Sequence, residues 1–217
     1  HMWFGDLVTM RWFDDVWTKE VFANFLSAKI IKPSFTEIDH DLRFLTAHYP
    51  PAYRIDRTRG ANPISQPLEN LNFAGSLYGP IIYQKAPIVM RHLEARIGAE
   101  PLRQGLVRYL ERYSFDNASW TDLIEILAEN SGQNLKSWNH DWVEQAGLPI
   151  IFVRRSDQGV ELIQKDPRKK GRTWEQSLTV TYGKMREGKI SSSSEIIDMV
   201  SKTHKIDDLG HIDFVIP

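Results

Sequence analysis

The stretch that decides the fold is residues 1–23, which read HMWFGDLVTMRWFDDVWTKEVFA. From Trp17 onward its apolar residues recur every three or four positions, and this spacing predicts a helix over about 15–31. At 100° per residue, Glu20 lies about 60° from the line through Trp17 and Val21. The sequence therefore places a carboxylate at the edge of the buried face of this helix.

Helical periodicity continues outward from this helix over roughly the first two thirds of the chain. A weak helix is predicted over 35–45. The turn-rich stretch that follows, 49–79, is predicted as a loop, and a loop this long in a compact domain is usually functional. Gly79-Pro80 predicts the start of the next helix, which Pro87 should kink or restart.

Three further helices are predicted before the pattern changes. The first occupies about 100–113, and the second begins at Ser119, where Asp122 stands in the acidic position of a capping box. The last contains Trp142, with Gly147 as its C-cap. These signals predict a helical region that closes near residue 148.

Beyond that point the apolar residues alternate with polar ones, which is typical of strands. The strand-like runs are 150–153, 160–163, 178–182, 196–200 and 212–216. Short runs separated by turn residues predict an antiparallel β-sandwich, so the domains are predicted as 1–148 and 149–217. Two other segments, Ser191–Ser194 and the basic run Lys165–Arg172, are predicted as turns.

Composition narrows the classes of function. The 217 residues are 41% hydrophobic and 25% charged, which is typical of a soluble globular protein. The formal net charge of -1 gives no general attraction to nucleic acid or to an anionic membrane. The chain has no cysteine, which excludes disulfides and thiolate metal sites, and no apolar stretch is long enough to span a membrane. No signal peptide is visible, and the compartment stays open.

The opening stretch resembles the aminopeptidase N-like zinc metallopeptidases, gluzincins that include leukotriene hydrolase-type enzymes. These carry His-Glu-x-x-His, then Trp-Phe-Gly-Asn/Asp-Leu-Val-Thr, a Trp-rich turn and a zinc-binding Glu. The family places eighteen residues between the second His and that Glu, as residues 2–19 lie between His1 and Glu20 here. The resemblance implies that His1 and Glu20 are zinc ligands, because catalytic zinc takes three protein ligands and keeps a position open.

A second match covers Leu77–Met90, which resembles the family's Tyr-x-Lys-Gly-Ala segment. The family Tyr donates its hydroxyl to the developing oxyanion, and Tyr83 matches that position. Tyr78 competes for the role, but its spacing from Lys85 differs. A third match, Trp138–Ile150, resembles the way family catalytic domains end before a β-sandwich domain.

Three departures from the family pattern affect the surroundings of these residues. Lys19 stands where Asn is usual, Val21 where Gly is usual, and Ala86-Pro87 replaces Gly-Ala. Such changes alter the support of a metal and the shape of a pocket, but they remove no named catalytic group. The remaining histidines show no paired metal spacing and are predicted to be ordinary polar residues: His40, His48, His92, His140, His204 and His211.

These observations predict the α-helical C-terminal half of a thermolysin-like catalytic domain, followed by an antiparallel β-sandwich domain. The parent protein is expected to release N-terminal residues from peptides with zinc, using His1, Glu20 and Tyr83. The first His and the general-base Glu of the family motif would precede His1. The chain alone is therefore expected to be inactive and to need the missing N-terminal part of its parent.

Two rival interpretations remain open. A catalytically dead member of the family, kept as a binding or scaffold module, would fit the departures at Lys19, Val21 and Pro87. A helical protein with an accidental motif would place His1 and Tyr83 far from the Glu20 carboxylate.

Overall fold

The computed structural model describes residues 1–156, 159–207, 209 and 211–217. It divides into two compact units, His1–Gly147 and Leu148–Pro217. Within the described residues, the α-helices all belong to the first unit: α1 (Trp17–Ile31), α2 (His40–Asp56), α3 (Ala86–Ile97), α4 (Ala99–Arg112), α5 (Trp120–Ser131) and α6 (Lys136–Trp142). Among the same residues, no helix is long and apolar enough to cross a membrane.

The helix predicted over 15–31 is confirmed as α1. Its residues Trp17, Val21 and Phe22 are buried, as the spacing of apolar side chains predicts. The helix passes into a short 3₁₀ turn, Lys32–Ser34, which contains the proline that ends the helical pattern.

The prediction for the region after α1 is wrong in part. Helix α2 begins later than the predicted 35–45 segment and runs on to Asp56, into the stretch 49–79 for which the sequence predicts a loop. Pro50 and Pro51 lie inside it. A proline inside a helix removes a backbone donor and costs about 3 kcal/mol, so a local signal favours a loop here.

Packing and capping explain why α2 forms in spite of its prolines. The Asp39 side chain accepts a hydrogen bond from the Leu42 N–H at 2.9 Å, which caps the first turn. Ala52 and Asp56, both beyond the prolines, are buried, and Phe44 packs with Ala52 in one apolar cluster. Burial of the last turns therefore outweighs the local preference of the sequence.

The restart predicted at Pro87 is confirmed, and it takes the form of a change in helix type. Residues Ile81–Lys85 form a turn of π-helix, here called the π-turn, and α3 follows directly. The Ala86 N–H bonds to the Ile81 carbonyl, five residues back. Pro87 has no N–H to offer to this ladder, which fits a change of register at that point.

The later helices also follow their signals, with one exception. The capping box of Ser119 and Asp122 is present at the start of α5, and Gly132 ends that helix in the left-handed conformation. The prediction of Gly147 as the C-cap of α6 is wrong, because α6 ends at Trp142 with Val143 as its C-cap. Instead of capping a helix, Gly147 uses its backbone N–H and carbonyl to bond to two buried side chains.

The described strands are β1 (Val8–Met10), β2 (Asp116–Ala118), β3 (Ile150–Ser156), β4 (Gly159–Lys165), β5 (Gln176–Arg186), β6 (Lys189–Met199), β7 (Thr203–Asp207) and β8 (Phe214–Ile216). In the first unit, β1 and β2 form a short parallel pair. In the second unit, two antiparallel sheets have the orders β3-β4-β7 and β6-β5-β8. The antiparallel pairing predicted for this region is confirmed.

One apolar cluster joins the two sheets of the second unit, with members on β4, β5, β6 and β7: Val160, Leu162, Val180, Ile197, Met199 and Ile206. The predicted turn Ser191–Ser194 is wrong, because these residues lie inside β6. Their side chains are exposed, and the strand is held by its antiparallel pairing with β5 rather than by burial of these side chains. The basic run does form a turn, in which the Asp166 carboxylate accepts hydrogen bonds from the N–H groups of Arg168 and Lys170.

Candidate active site

The three residues predicted as site residues converge in the structure. His1 Nε2 lies 3.3 Å from Glu20 Oε2. The Tyr83 hydroxyl lies close enough to interact with the Glu20 carboxylate, which raises the pKa of that hydroxyl. A ring nitrogen, a carboxylate and a phenol from three different parts of the chain therefore lie together at Glu20. The interpretation of an accidental motif predicts a wide separation, which this geometry contradicts.

The segment before β1 reaches Glu20 because its aromatic and glycine residues fit onto α1. The Phe4 ring stacks on the Phe22 ring, with 4.3 Å between centroids. Gly5 has a φ of +128°, which side-chain-bearing residues rarely adopt, and a Cβ there would lie 3.1 Å from the His1 carbonyl oxygen. The same Cβ would lie 3.6 Å from the Cβ of Lys19. Gly5 thus lets the His1 turn close against α1.

Helix α1 is held in turn by a contact at its start. The Asp15 carboxylate accepts a hydrogen bond of 2.9 Å from the Trp120 N–H, at the first residue of α5. The Trp17 ring packs against the Trp120 ring with 4.7 Å between centroids. Burial raises the pKa of Asp15 to about 6, although the Trp120 N–H opposes that shift. The position of Glu20 therefore depends on the α1–α5 contact.

Tyr83 is carried by the π-turn, and its hydroxyl is a proton donor at neutral pH. Desolvation raises the pKa of Tyr83, and the negative charge of Glu20 raises it further. The Tyr78 ring stacks near the Tyr83 ring, with 6.3 Å between centroids. Tyr83, the tyrosine that matches the family position, is the one that interacts with Glu20.

The opposite side of the π-turn is fixed by a buried ion pair. Lys85 Nζ lies 2.9 Å from Asp56 Oδ2, and the two side chains are 4% and 0% exposed. Lys85 Nζ also donates to the Gly147 carbonyl at 3.0 Å, and Asp56 Oδ1 accepts from the Gly147 N–H at 2.9 Å. Gly147 adopts a φ of +103°, which presents both of its backbone groups to this pair. We call these three residues the clamp.

The clamp was missed at the sequence level. Lys85 belongs to the segment that resembles the family's Tyr motif, but the sequence assigns it no function, and it predicts a loop around Asp56 and a helix cap at Gly147. No local spacing rule links residues this far apart in the chain. Composition gave no signal either, because the burial that requires an acidic and a basic residue to be paired is visible only in the fold.

Two of the other histidines lie close to the π-turn or to α3. Burial lowers the pKa of His48, and the neighbouring Tyr83 backbone and Gln84 side chain oppose that shift. His92 is buried against the Trp142 ring, 4.8 Å between centroids, and burial lowers its pKa to about 4. Among the described residues, no group of three or more His, Asp and Glu side chains that could hold a metal is found.

Lys19 brings a positive charge to the site. Its Nζ lies 3.9 Å from Glu20 Oε1, whereas His1 faces the other carboxylate oxygen. An ammonium group at this distance competes with any cation for the carboxylate. The departure at position 19 therefore has a direct electrostatic consequence for metal binding.

Comparisons of this chain with known proteins all indicate the same family. The profile of the Peptidase family M1 domain matches residues 1–142. "Probable aminopeptidase 1" of Sulfurisphaera tokodaii is 32% identical over 165 residues, which cover 76% of this chain and 21% of that protein. "Tricorn protease-interacting factor F2" of Thermoplasma volcanium is 29% identical over 199 residues, 90% of this chain and 25% of that protein.

A eukaryotic relative shows the same extent of similarity. "Puromycin-sensitive aminopeptidase" of Caenorhabditis elegans is 32% identical over 193 residues, which cover 84% of this chain and 20% of that protein. The chain thus spans between 20% and 25% of the length of these three relatives. It belongs to peptidase family M1, whose domain profile matches most of the chain.

Proposed function

We propose that this chain supplies part of the active site of a zinc aminopeptidase that releases N-terminal residues from peptides. In this proposal His1 and Glu20 are zinc ligands, and Tyr83 donates a hydrogen bond to the oxyanion. The observation that carries it is the convergence of His1 and Tyr83 on the Glu20 carboxylate. Membership of family M1 supports the class of reaction.

The residues at Glu20 fit zinc by their chemistry. Imidazole nitrogen and carboxylate oxygen are both zinc ligands, and His1 Nε2 and Glu20 Oε2 lie close enough to face one ion. Bound zinc would polarise the substrate carbonyl and lower the pKa of a water molecule. Because a catalytic zinc takes three protein ligands, we propose that residues outside this chain supply the third ligand and the general base.

Tyr83 suits the task of an oxyanion donor for two reasons. Its raised pKa keeps the hydroxyl protonated, so it can donate at neutral pH. Its backbone is held on a turn that is fixed from the other side by the clamp. A donor that is in place before the reaction needs no rearrangement when the negative charge develops.

The surrounding architecture extends the proposal. We propose that His1–Gly147 is the helical half of a thermolysin-like catalytic domain, with its boundary near residue 148. The two sheets of Leu148–Pro217 form the proposed β-sandwich domain, supported by the apolar cluster with members on both sheets. The length of the relatives supports the proposal that the active protein contains further residues.

A second candidate function is supported by one observation. The Lys19 ammonium group at 3.9 Å from Glu20 opposes cation binding at that carboxylate. A family member that has lost its metal could serve as a binding or scaffold module. Retention of zinc by the whole protein separates the two proposals, since the module needs none.

The test of the proposed function uses the whole protein that contains this chain. Zinc content is measured first, and release of the N-terminal residue from leucine p-nitroanilide is measured before chelation, after chelation and after zinc is returned. We expect activity that is lost with the metal and restored by it. A whole protein that binds no zinc and releases no residue would favour the scaffold function.

The isolated chain provides a second test. It holds two of the proposed ligands and no proposed general base, so we expect no hydrolysis above the rate in buffer alone. Robust hydrolysis by the isolated chain that Glu20→Ala abolishes would contradict the proposal that the site is completed from elsewhere.

A further inference from the structure

We propose that the buried pair Asp56–Lys85, together with Gly147, is a positioning device that sets the Tyr83 hydroxyl at the reaction centre. This inference rests on the proposed function, because it assigns residues that act through Tyr83. Asp56 and Lys85 act on the π-turn that carries Tyr83 and are neither proposed metal ligands nor the proposed oxyanion donor, so both are positioning residues rather than catalytic ones.

The first step of the argument is the closed geometry of the clamp. Lys85 Nζ lies 2.9 Å from Asp56 Oδ2 in an ion pair and donates to the Gly147 carbonyl at 3.0 Å. Asp56 Oδ1 completes the ring by accepting from the Gly147 N–H at 2.9 Å. The ring joins the last residue of α2, the last residue of the π-turn and the last residue of the first unit. A shift of the π-turn along its axis would break at least one of these bonds.

The second step is the position of Tyr83 between two fixed points. Lys85 holds the C-terminal end of the π-turn. His48, from the middle of α2, lies beside the backbone of Tyr83. Pro87 cannot donate to the Tyr83 carbonyl in the usual helical pattern, which leaves that carbonyl open to another donor. Helix α2 thus holds the turn at Tyr83 and again two residues later.

The third step concerns what a buried ion pair can do. Removing two charges from water costs much of what their attraction returns, so such a pair is weak evidence for stability. A pair of apolar residues of similar volume would serve the core at least as well. The clamp does something that apolar contact does not, because its two hydrogen bonds to Gly147 are directional and, together with the ion pair, fix one register of the π-turn.

The fourth step links this register to the reaction. A hydrogen-bond donor stabilises an oxyanion only when it is within about 0.5 Å of its productive position. Displacement of a positioned group by about 1 Å can cost 100-fold in rate. The π-turn is an uncommon element, and such turns occur frequently at functional sites. Without the clamp, the turn can relax to an ordinary helix and carry the Tyr83 hydroxyl away from Glu20.

The test uses the double variant Asp56→Asn/Lys85→Met in the whole protein. Removing both charges avoids a lone buried charge, so the double variant is expected to fold, and the amide oxygen of the introduced asparagine still accepts from the Gly147 N–H. We expect kcat for peptide hydrolysis to fall about 10- to 100-fold, with KM and zinc content nearly unchanged. An unchanged kcat would overturn the proposal.

A thermodynamic cycle separates positioning from a general loss of structure. Tyr83→Phe is combined with the clamp double variant. If the clamp acts through the hydroxyl, the combined variant is no slower than Tyr83→Phe alone, because the group to be positioned is gone. If the two losses multiply, the clamp contributes to folding rather than to Tyr83, and the proposal fails.

A control variant and a conservative variant complete the set. Arg108→Met breaks an exposed ion pair with Glu129, 2.8 Å in length, and should leave kcat unchanged. Asp56→Glu keeps both charges but lengthens one side of the ring, and should lower kcat by a smaller factor than the double variant. A loss of kcat in Arg108→Met equal to that in the double variant would overturn the proposal.

Hydrogen exchange distinguishes failure of this inference from failure of the proposed function. Backbone amide exchange over Ile81–Lys85 is measured in the whole protein, in a buffer without substrate, so that the readout does not depend on hydrolysis. The double variant should exchange faster in this segment than wild type, and Arg108→Met should not. If the wild-type whole protein lacks hydrolysis, the proposed function fails and this exchange measurement decides the clamp. If hydrolysis is present and neither kcat nor exchange responds, the clamp alone is wrong.

Discussion

The two halves of the candidate site are held in place by different means. In the ligand half, the His1 ring meets Glu20 at 3.3 Å, and the His1 side chain is 41% exposed. The donor half, Tyr83 on its π-turn, is backed by the Asp56–Lys85 pair, whose side chains are almost fully buried. The fold therefore builds the donor half by itself, whereas we expect the ligand half to gain its order from a bound cation.

This difference predicts separable effects. Changes in the ligand half should act on metal content, because that half contains the proposed metal ligands. Changes in the donor half should act on the rate at constant metal content. The predictions that follow test this separation, from the largest expected effect to the smallest.

The largest effect is expected from Glu20→Gln. Loss of the carboxylate should remove zinc from the whole protein and lower kcat/KM by at least about 1,000-fold, since the ion supplies both polarisation and the activated water. Metal analysis and hydrolysis are measured on the same sample. Glu125→Gln, on the exposed face of α5, is the matched control and should keep both. A Glu20→Gln protein with full zinc content would contradict the claim that the ligand half determines metal content.

The next effect is expected from Tyr83→Phe. Removal of a single oxyanion donor costs about 100- to 1,000-fold in kcat, and zinc content should not change. The control is Tyr78→Phe, which removes the hydroxyl of the neighbouring ring. If Tyr78→Phe lowers kcat more than Tyr83→Phe does, the assignment of the donor is wrong.

Stability at low pH should depend on His92, which lies on the helix that continues the π-turn. Burial lowers its pKa from 6.5 to about 4, so the unfolded chain binds the proton more readily than the folded chain. The free energy of unfolding should therefore fall as the pH drops from 6.5 to 4, by about 3 kcal/mol.

The variant His92→Leu should flatten this part of the pH profile, which urea unfolding at a series of pH values can measure. His140→Leu is the control, because that ring is exposed on α6. An unchanged acid slope in His92→Leu would show that the donor half is not acid-sensitive through this residue.

Asp15, which supports the ligand half, should change the free energy of unfolding with pH in the opposite direction. Its pKa is raised from 3.8 to about 6, so the folded chain holds the proton more tightly than the unfolded chain. Stability should fall as the pH rises from about 4 to 6. Since Asp15 keeps some solvent contact, the expected loss is only about 1–2 kcal/mol.

Asp15→Asn should remove this loss while its amide oxygen still accepts from the Trp120 N–H. The measurement is the free energy of unfolding at pH 4 and at pH 7.5 in wild type and variant. A variant that is less stable than wild type at pH 7.5 would mean that the hydrogen bond to Trp120 depends on the negative charge of the Asp15 carboxylate.

The smallest effect concerns Lys19. Replacing it with Asn, the usual residue of the family, removes the positive charge 3.9 Å from Glu20 and should tighten zinc binding about tenfold. Competition with a chelator of known affinity measures this in the whole protein. Lys29→Asn, on the same helix, changes the same charge farther from the site and should have little effect.

Local signals in the sequence account for much of the fold. The spacing of Trp17 and Val21 predicts α1, the Ser119–Asp122 capping box predicts the start of α5, and alternation after residue 148 predicts the antiparallel strands. Each of these signals depends on neighbours within a few positions. The same signals mispredict Ser191–Ser194, because a strand can be held by its partner without burying its own side chains.

Long-range contacts account for what was missed. Pro50 and Pro51 predict a loop locally, but burial of the residues after them extends α2 to Asp56. That extension is what brings Asp56 to Lys85, so the clamp could not be predicted from either segment alone. The proposed roles of His1, Glu20 and Tyr83 come from resemblance, and their geometry comes from the fold; the roles themselves stay predictions.

The most direct test of the central claim is anomalous diffraction at the zinc edge from crystals of the whole protein. The account predicts one strong peak in contact with His1 Nε2 and the Glu20 carboxylate. A peak that lies elsewhere, or no peak in zinc-treated crystals, would contradict the claim that this carboxylate and this imidazole are parts of a catalytic metal site.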